Sequence, residues 1–568
     1  MYYLTIKLLL IFIMKTCKQC TSQFEVTDGD LQFYGRVSPI INGKKYLISE
    51  PTLCPPCRSQ RRMTFRNERS LYHRKCDLTG KQIVSMFTPE SPYTIYDQDE
   101  WWSDKWDPLE YGQDFDFSRS FFEQFKELQL KVPRMSLSVI NSENCTYTNI
   151  ALGNKDCYLI YTADYNEKCA YGRMFLRNFN CYDCDYVDDC KFCYECIDVY
   201  KSHECFYCQK VENSSGLAYC YNMQSCKNCM FCMNLSNKEY HIFNEKVGKV
   251  EFDKKRKEIF SSHAIFQKAK KKAQKLFLKF PRKALENLNY ENTIGNYLKN
   301  CKNTEYCFDA YGLEDCKYCS YLINSKDCYD WDFIGSSELC YEMVSSAYKL
   351  HKCAFCMNSW ETHSNLYYCD LMLGDNNCFG CISLRKKQYC ILNKQYTKKE
   401  YNELVPKIIK HMQSTREWGE FFPIGCSPFA YNETVANLHY PLTKQEVEKR
   451  GWRWYDETNP KTYKGPAYGI SDDIADVPDE IVDKILICQK SGKPYKIIPQ
   501  ELKFYQQFNL PIPRCCPNQR HLDRMALRNP RLLFDRKCDK CSSDIKTAYS
   551  HNQPEKVYCE ECYLKEVY

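Results

Sequence analysis

The sequence has few of the residues that mark disordered, collagenous or low-complexity chains. Among its 568 residues only 20 are glycine and 23 are proline, which argues against all three classes. It also lacks an apolar segment of the roughly 20 residues that a membrane-spanning helix needs. We therefore expect a chain that is folded throughout and has no membrane partner.

Neither sign of charge dominates the sequence. Lys and Arg together number 79 and Asp and Glu 72, so the formal net charge is +7 at pH 7. In a chain of this length such a surplus does not by itself imply a polyanionic partner. Any basic surface must therefore be local.

Motifs typical of enzymes are missing from the sequence. It contains no phosphate-binding glycine-rich loop, dinucleotide fingerprint, His-Glu-x-x-His helix or nucleophile elbow, and its ten histidines are scattered. We predict that the protein is not an enzyme, has no catalytic residues and takes no small-molecule substrate. A reactive thiol among its many cysteines would leave no such motif.

Cysteine is the residue in excess, at 39 positions. Small secreted domains use cysteine to replace a missing core, but this chain is long enough for several cores. Two interpretations of its start remain open: residues 1–13 are an extension upstream of a natural start at Met14, or they are a signal peptide, although no small-residue cleavage site follows them. The first predicts a cytoplasmic protein, where clustered cysteines bind metal more often than they form disulfides.

Each end of the chain carries two Cys-x2-Cys knuckles. Two residues between thiolates allow one tight turn to present both sulfurs to a tetrahedral ion, and two such turns close a structural site with no open position. Unliganded thiols are the alternative. We predict two structural zinc ions as cofactors, held by Cys17, Cys20, Cys54 and Cys57 and by Cys538, Cys541, Cys559 and Cys562.

The two ends are also copies of one another. A shift of 462 residues superimposes Arg58-x3-Arg62-Met63 and Arg74-Lys75-Cys76-Asp77 on the C-terminal part of the chain without gaps. Each end thus has a first ribbon, an Arg-rich segment and a second ribbon. The inner ribbon of each pair has lost ligands and is predicted to bind no zinc, because the matching positions hold Thr79, Asp97, Glu100, Ser491 and Gln519.

The Arg-rich segments are the candidate nucleic-acid surface. Their arginines recur at helical spacing directly after a zinc knuckle, so they would form one cationic face able to contact phosphates. The alternative is a solvated helix face paired with local acids such as Glu68 and Asp523. The tentative nucleic-acid-binding residues are Arg58, Arg62, Arg66, Arg69, Arg520, Arg524 and Arg528.

A second basic run stands in the middle of the chain, between two cysteine arrays. It reads Lys268-Ala-Lys-Lys-Lys-Ala-Gln-Lys275. Contact with nucleic acid or an acidic partner is one interpretation of this run. A solvated helix is the other.

The cysteines of the middle recur every twelve residues. One row of six runs from Cys145 to Cys205 and a second row of five from Cys184 to Cys232, each in steps of twelve; a second array extends from Cys301 to Cys390, with one-residue insertions after Cys340 and Cys356. This period is too short for a helical hairpin and does not fit a heptad. Short parallel β-solenoid coils fit it, with strands stacked about 4.8 Å apart.

The period predicts where each residue type of the arrays lies. Cysteine suits a narrow interior, Asn and Ser ladders would bond to backbone at the corners, and the aromatic residues that follow the cysteines would stack outside. Three states of the array thiols remain open: buried free thiols, disulfides, or a metal or iron–sulfur site built by stacked pairs such as Cys181, Cys184, Cys193 and Cys196.

The sequence thus predicts a multidomain, β-rich α+β protein with two short-coil, 12-residue parallel β-solenoid arrays that carry helical caps and are flanked by zinc-ribbon modules. We number the ribbon modules 1 to 4 and the arrays 1 and 2. The predicted domains are a non-native extension (1–13), intact module 1 with an Arg-rich helix (14–75), degenerate module 2 (76–117), a helical connector (118–140), array 1 (141–240), a basic helical cap and linker (241–299), array 2 (300–395), a cap helix and Trp-rich connector (396–475), degenerate module 3 with an Arg-rich segment (476–537) and intact module 4 (538–568).

The stretch from Cys17 to Arg69 contains Cys-x2-Cys and Cys-Pro-Pro-Cys-Arg knuckles, Gly29-Asp30 and Phe33-Tyr34. With these residues it resembles the probable zinc-ribbon domain of large, uncharacterised Cys-rich proteins of candidate-phylum bacteria. The Cys-aromatic repeats and the Cys559-Glu-Glu-Cys562-Tyr ending are similar to the same family. The resemblance implies zinc binding and no agreed activity. We expect a non-catalytic scaffold that contacts a macromolecule, protein or nucleic acid, with nucleic-acid binding through the Arg-rich segments as the alternative function.

Overall fold

The computed structural model describes residues 12–346, 348–456, 465 and 467–567. In that part of the chain it is a β-rich α+β protein with twelve α-helices and several parallel sheets, none of which closes into a barrel. Residues 1–13, the predicted extension, lie outside the described residues except for Phe12 and Ile13, which belong to the first strand. No described helix is both long and apolar enough to cross a bilayer.

The α-helices are α1 (Asp28–Val37), α2 (Pro55–Met63), α3 (Gln98–Trp102), α4 (Phe121–Lys131), α5 (Lys249–Phe260), α6 (His263–Phe277), α7 (Lys398–Ser414), α8 (Val435–His439), α9 (Lys444–Lys449), α10 (Pro499–Phe508), α11 (Pro517–Met525) and α12 (Glu560–Val567). Short 3-10 helices occupy Pro108–Tyr111, Ile424–Cys426, Tyr431–Glu433, Ile474–Asp476 and Asp479–Asp483.

The first half of the chain holds strands β1 (Phe12–Thr16), β2 (Gln23–Thr27), β3 (Ile40–Ile41), β4 (Lys44–Lys45), β5 (Tyr72–Lys75), β6 (Gln82–Ser85), β7 (Ile95–Tyr96), β8 (Arg134–Met135), β9 (Val139–Ile140), β10 (Asn149–Leu152), β11 (Tyr158–Asp164), β12 (Ala170–Leu176), β13 (Asp185–Asp188), β14 (Ile197–Tyr200), β15 (Gln209–Glu212), β16 (Tyr221–Gln224), β17 (Lys227–Met230), β18 (Met233–Ser236), β19 (Glu239–Ile242), β20 (Glu245–Lys246) and β21 (Arg282–Lys283).

The second half holds strands β22 (Leu288–Tyr311), β23 (Lys326–Asp332), β24 (Glu338–Val344), β25 (Leu350–His351), β26 (His363–Tyr367), β27 (Asn376–Phe379), β28 (Gln388–Ile391), β29 (Lys394–Gln395), β30 (Leu486–Ile487), β31 (Pro494–Tyr495), β32 (Phe534–Lys537), β33 (Asp544–Thr547) and β34 (Val557–Tyr558).

The chain divides into two compact units, each made of two separate segments. The described residues of the first unit fall within 12–136 and 285–455, and those of the second within 137–284 and 456–567. The first unit therefore combines modules 1 and 2 with array 2, and the second combines modules 3 and 4 with array 1. The order of the modules along the chain does not reveal this crossed pairing.

Array 1 is a nine-stranded sheet in which successive strands pair in parallel. Each pairing is offset by twelve residues, as in Tyr158↔Ala170 and Ile197↔Gln209. In array 2 the offset is twelve at Lys326↔Glu338 but thirteen at Leu350↔His363, where the sequence has its insertions. The twelve-residue period is therefore the length of chain between neighbouring strands.

An antiparallel hairpin follows the last parallel strand of each array; in array 1 that strand is β19, which pairs with β17 outside the nine-stranded sheet. Strand β19 pairs with β20 after array 1, and β28 pairs with β29 after array 2. The helices α5 and α7 follow these hairpins directly, and Thr397 and Glu400 form a capping box at the start of α7. A chain reversal followed by a helix blocks the addition of a further parallel strand at that edge.

Buried cysteines form the interior of both arrays, as predicted. All 26 array cysteines are free thiols, and only Cys145 is not fully buried. Their S–H groups lie within hydrogen-bonding distance of carbonyl oxygens two residues earlier, for example Cys184 Sγ to Tyr182 O at 3.2 Å. A small, weakly polar side chain thus fills a narrow core without leaving its donor unsatisfied.

An asparagine ladder crosses the interior of array 1. The Oδ1 atom of Asn154 accepts from the backbone N–H of Asn166 at 2.9 Å, and that of Asn166 accepts from the N–H of Asn178 at 3.0 Å. All three residues are buried. The ladder bonds to backbone as expected, and it satisfies N–H groups that face the core.

The aromatic column of array 1 differs from the prediction in one respect. Tyr182, Tyr194 and Phe206 follow their cysteines and point away from the thiol core, but they are buried. Their rings pack against aromatic residues of helix α10, with Tyr182 and Phe504 at 4.6 Å between ring centroids. Module 3 covers the face that we expected to meet solvent.

Every third residue from Asn141 to Tyr240 has a positive φ. This left-handed conformation turns the chain at regular intervals, and Asn, Asp and Gly adopt it with the least strain. The abundance of Asn and Asp in the repeat therefore has a backbone reason in addition to the ladder.

Candidate metal centres

The first group of four cysteines lies in module 1. The sulfurs of Cys17, Cys20, Cys54 and Cys57 all lie within 4.8 Å of one another, and Cys20 Sγ is 3.6 Å from Cys54 Sγ. Tetrahedral zinc with bonds of about 2.3 Å sets its sulfurs about 3.8 Å apart. Three of the four residues are buried and Cys20 is exposed. The group can hold a metal ion with thiolate ligands alone.

The second group lies in module 4. The sulfurs of Cys538, Cys541, Cys559 and Cys562 also lie within 4.8 Å of one another, with Cys541 Sγ and Cys559 Sγ 3.8 Å apart. Here only Cys538 is buried, whereas Cys541 is exposed. The two groups therefore share a ligand set but differ in their access to solvent.

A tight turn positions the first pair of sulfurs in each module. In module 1 the Thr21 N–H donates to Cys17 O at 2.9 Å, and Thr21 has φ +62°. In module 4 the Ser542 N–H donates to Cys538 O at 2.9 Å, again with φ +62°. These turns point successive backbone N–H groups toward the sulfurs, which stabilises thiolates.

The second pair of sulfurs stands at the start of a helix. Cys54 is the N-cap of α2 and Pro55 its first residue, a position that proline favours because no N–H is needed there. Helix α12 begins directly after Cys559. Both helix N-termini place positive partial charge near the ligands.

Hydrogen bonds between these groups shift the thiol pKa values. A bond from the Cys57 thiol lowers the pKa of Cys54 to about 7. A bond from the Ser543 hydroxyl lowers the pKa of Cys541 to about 6. Each group thus contains a sulfur that is readily deprotonated, as metal binding requires.

Modules 2 and 3 keep the same backbone turn without the full ligand set. The Gly80 N–H donates to Cys76 O at 2.8 Å, and the Gly492 N–H donates to Cys488 O at 2.9 Å. The Asp97 N–H lies 3.2 Å from Cys76 Sγ, as the Cys559 N–H does from Cys538 Sγ. The module fold therefore survives ligand loss, and the absence of zinc from these two modules stays a prediction.

Array thiols do not join these groups. Among the described residues, the two four-cysteine groups are the sets of His, Cys, Asp and Glu whose geometry can hold a metal ion. The array cysteines form no disulfides in the structure, so free buried thiols and bound metal stay as the two interpretations.

The Arg-rich segment of module 1 lies against array 2. Arg58 Nη2 is 2.9 Å from Asp330 Oδ2, and Arg62 Nη2 is 2.9 Å from Asp332 Oδ2. Arg62 Nη1 also lies 2.7 Å from Glu342 Oε2. All five side chains are almost fully buried. A cluster of buried ion pairs thus joins α2 to strands β23 and β24.

The Arg-rich segment of module 3 repeats these contacts on array 1. Arg520 pairs with Asp183, and Arg524 Nε lies 2.7 Å from Asp185 Oδ2. Arg524 Nη1 lies 3.6 Å from Glu195 Oε1. The three acids precede their counterparts in array 2 by 147 residues each, and the two arginines follow theirs by 462. The duplication therefore includes the interface between module and array.

The next arginine along each segment repeats its contacts less fully. Arg66 lies over the Phe333 ring at 4.4 Å and donates to Ser345, whereas Arg528 lies over the Tyr186 ring at 3.7 Å and pairs with Asp198 at 3.0 Å. Both follow their helices and are not on them. Arg69 is half-buried beyond the end of α2.

Aromatic contacts beside the ion pairs are duplicated too. Phe33 stacks on Tyr329 at 3.7 Å, and Phe504 packs on Tyr182 at 4.6 Å between ring centroids. Both phenylalanines precede a tyrosine in the shared Leu-x-Phe-Tyr motif of α1 and α10. That motif, retained in a module without a full ligand set, contributes to docking and not to metal binding.

The placement of the arginines corrects the expectation of an exposed cationic face. Five of these arginines are buried: Arg58, Arg62, Arg66, Arg520 and Arg524. Their guanidinium groups contact carboxylates or aromatic rings of the arrays. Arg528 likewise pairs with Asp198. These groups face array side chains and not solvent, so a phosphate cannot reach them in this arrangement. Nucleic-acid binding by the protein stays a prediction.

Sequence reasoning missed the acids of this interface. A signal for them exists, because Cys-Tyr-Asp-x-Asp-aromatic occurs once in each array, at 181–186 and at 328–333, and a Glu follows the first Asp by twelve residues in both. In a parallel ladder a separation of twelve places side chains on neighbouring strands of the same face. The acids thus formed a predictable buried cluster that required a cationic partner.

The acid cluster of the second unit predicts a stability maximum in mild acid. Burial, only partly offset by Arg524, raises the pKa of Glu195 from 4.5 to about 7. Burial would also raise the pKa of Asp185, but His521 and Arg524 outweigh it and lower that pKa to about 2. The contribution of Glu195 to the free energy of unfolding is present below pH 4.5 and is lost as the pH rises to 7. The contribution of Asp185 is present above pH 4 and is lost as the pH falls to 2.

Calorimetry of Glu195→Gln between pH 4 and 8 measures the first of these limbs. We expect the variant to lose the decline of the second unit's melting temperature between pH 5 and 7, because its amide has no proton to release. Glu239→Gln, at an exposed residue of the same unit, should keep that decline. An unchanged pH profile in Glu195→Gln would contradict the assignment.

Comparison of the chain with protein-family models and with curated proteins finds no match.

Proposed function

We propose that the protein is a non-catalytic, cytoplasmic scaffold in which two structural zinc ions stabilise modules docked on rigid β-solenoid arrays. The observation that carries this proposal is the pair of four-cysteine groups, in each of which all sulfurs lie within 4.8 Å of one another. Four thiolates complete the coordination of zinc and leave no position for water or substrate, which is the mark of a structural site.

Parallel strands offset by twelve or thirteen residues support the solenoid part of the proposal. A coil of that length is too short to enclose a core of its own, so each coil buries its thiols against its neighbours. Module docking adds the aromatic and ion-pair contacts that cover one face of each array. A rigid body of this kind suits a protein that presents a surface.

Metal content tests the proposal directly. We expect two zinc ions per chain in reduced protein purified without added metal, measured by inductively coupled plasma mass spectrometry. Cys57→Ser and Cys562→Ser should each lower the number to one, and Cys76→Ser should leave it at two. Four zinc ions would show that modules 2 and 3 bind metal, and iron in addition to two zinc ions would indicate a metal site in the arrays.

Nucleic-acid binding through the Arg-rich segments is not retained as a second candidate. Their guanidinium groups are taken up by buried carboxylates of the arrays. A partner, whether protein or nucleic acid, must therefore meet another surface.

A further inference from the structure

The net positive charge of the protein comes from one helix pair. Residues 249–279, which include α5 and α6, contain eleven Lys and Arg and three Asp and Glu, a net charge of +8. The whole chain carries +7, so the remainder is slightly negative. This segment alone gives the second unit a strongly positive surface.

One face of α6 consists of exposed lysines. Lys268, Lys271, Lys272 and Lys275 lie within an arc of about 100° at 100° per residue, and all four are exposed. Helix α6 contains no acidic residue. Within the described part of the chain these four lysines form no ion pair. Lys272 Nζ lies 3.9 Å from the centre of the Phe243 ring, a contact that does not neutralise its charge. The four positive charges can therefore attract an external anion.

The opposite face of α6 is anchored to array 1. Phe266 is buried, with its ring 4.2 Å from that of Tyr207 and 5.8 Å from that of Phe260. Ala273 is also buried on this side. Insertion of an amphipathic helix into a membrane surface needs a free apolar face, and Phe266 and Ala273 of this helix are buried inside the protein.

We propose that the lysine face of α6 (Lys268, Lys271, Lys272 and Lys275) docks the phosphate backbone of a nucleic acid. These lysines extend along about 10 Å of helix axis, which matches about three phosphates of one strand. The lysine-only composition provides charge without base recognition, so binding is insensitive to sequence and sensitive to salt. This inference rests on the proposed scaffold function and names its partner.

Fluorescence anisotropy with a labelled 30-base-pair DNA duplex of mixed sequence, titrated with full-length protein at 50 to 400 mM KCl, tests the proposal. We expect binding that weakens steeply with salt. Replacing the four lysines by alanine should weaken binding roughly ten- to hundredfold at 50 mM KCl and reduce the log–log salt slope by roughly 3. All four positions are exposed, so the fold should be retained.

Helix α7 provides a matched control. It follows array 2 as α5 follows array 1, and its Lys398, Lys399, Lys407 and Lys410 are exposed. Alanine at these four positions removes the same charge but should leave binding within about twofold, because α7 also carries Glu400 and Glu403. An equal loss of affinity in both variants would show that only the net charge of the protein matters, and it would overturn the assignment of the site to α6.

Three other results would also overturn it: no binding at 50 mM KCl, unchanged binding by the α6 variant, or binding to vesicles containing 30% phosphatidylserine without binding to the oligonucleotide. Zinc content measured on the same preparations separates this proposal from the scaffold. Two zinc ions without binding reject the docking surface alone, whereas loss of zinc rejects the proposed function.

Discussion

Arg62→Ala is expected to lower the free energy of unfolding of the first unit by about 3–5 kcal/mol. The substitution removes the cation that Asp332 pairs with, whereas Asp330 keeps Arg58 and Glu342 keeps Arg61. The Asp332 carboxylate is 1% exposed, so burial of its uncompensated charge costs more than the lost contacts themselves. The affected contacts join module 1 to array 2.

Tryptophan fluorescence during urea unfolding isolates this effect. All eight tryptophans of the chain lie in the two segments of the first unit, and Trp331 stands between two of the affected acids. Arg524→Ala makes the equivalent change in the second unit and should not shift the tryptophan transition directly.

Arg36→Ala is the control within the same interface. Arg36 pairs with Asp327 of array 2, but its side chain is 52% exposed, so its loss should cost about 0–1 kcal/mol. Arg62→Lys should recover only part of the wild-type stability, since an ammonium group cannot bond to three carboxylates in the geometry of a guanidinium. An Arg62→Ala variant no less stable than Arg36→Ala would contradict the docking role.

Removal of the metal from module 1 should have the second large effect. We expect Cys54→Ser to lose one zinc ion and the hydrogen-exchange protection of residues 15–63. Structural zinc provides about 10–16 kcal/mol in isolated zinc-finger peptides, and the contacts of module 1 with array 2 compensate only part of such a loss. Cys488→Ser, in module 3, should change neither the zinc content nor this protection.

The two sites should also release metal at different rates. Three ligands are buried in module 1, whereas Cys541 is exposed and Cys559 and Cys562 are half-buried in module 4. A coloured chelator in excess should therefore reveal a fast phase and a slow phase of one zinc each. The fast phase should be missing in Cys541→Ser, and a single phase in the wild type would contradict the difference in access.

Much of the local structure was predictable from the sequence. The spacing of the knuckles predicted both four-cysteine groups, because two intervening residues are enough to orient both sulfurs without help from the rest of the chain. The twelve-residue period predicted the offset between strands, including the insertions after Cys340 and Cys356. The sequence period survives folding because each strand pairs with the strand one repeat further along the chain.

The partner of each array could not be predicted. Modules 1 and 3 carry similar Arg-rich segments, arrays 1 and 2 carry similar acid motifs, and either module could pair with either array by side-chain chemistry alone. The structure pairs Arg62 with Asp332, 270 residues along the chain, and Arg524 with Asp185, 339 residues back. Such separations leave no periodic trace in the sequence.

The expected cationic surface of the Arg-rich segments is absent for the same reason, because long-range contacts bury these arginines. Helical spacing of Arg58 and Arg62 correctly indicated a cationic face on α2, but spacing does not say what covers a face. One arginine per helical turn resembles a phosphate-binding surface when the residues packed against it are unknown. The carboxylates that neutralise them come from strands more than 260 residues away.

The sequence by itself determined the two four-cysteine groups, the repeat length and the duplication, since each depends on residues close together in the chain or on a constant offset. Only the tertiary structure decided which charges are buried and which remain at the surface. The arginines that follow the knuckles form buried ion pairs with the arrays. The lysines of α6 are exposed, because it is the apolar side of that helix that packs on array 1. Burial depends on long-range packing, which a linear pattern does not encode.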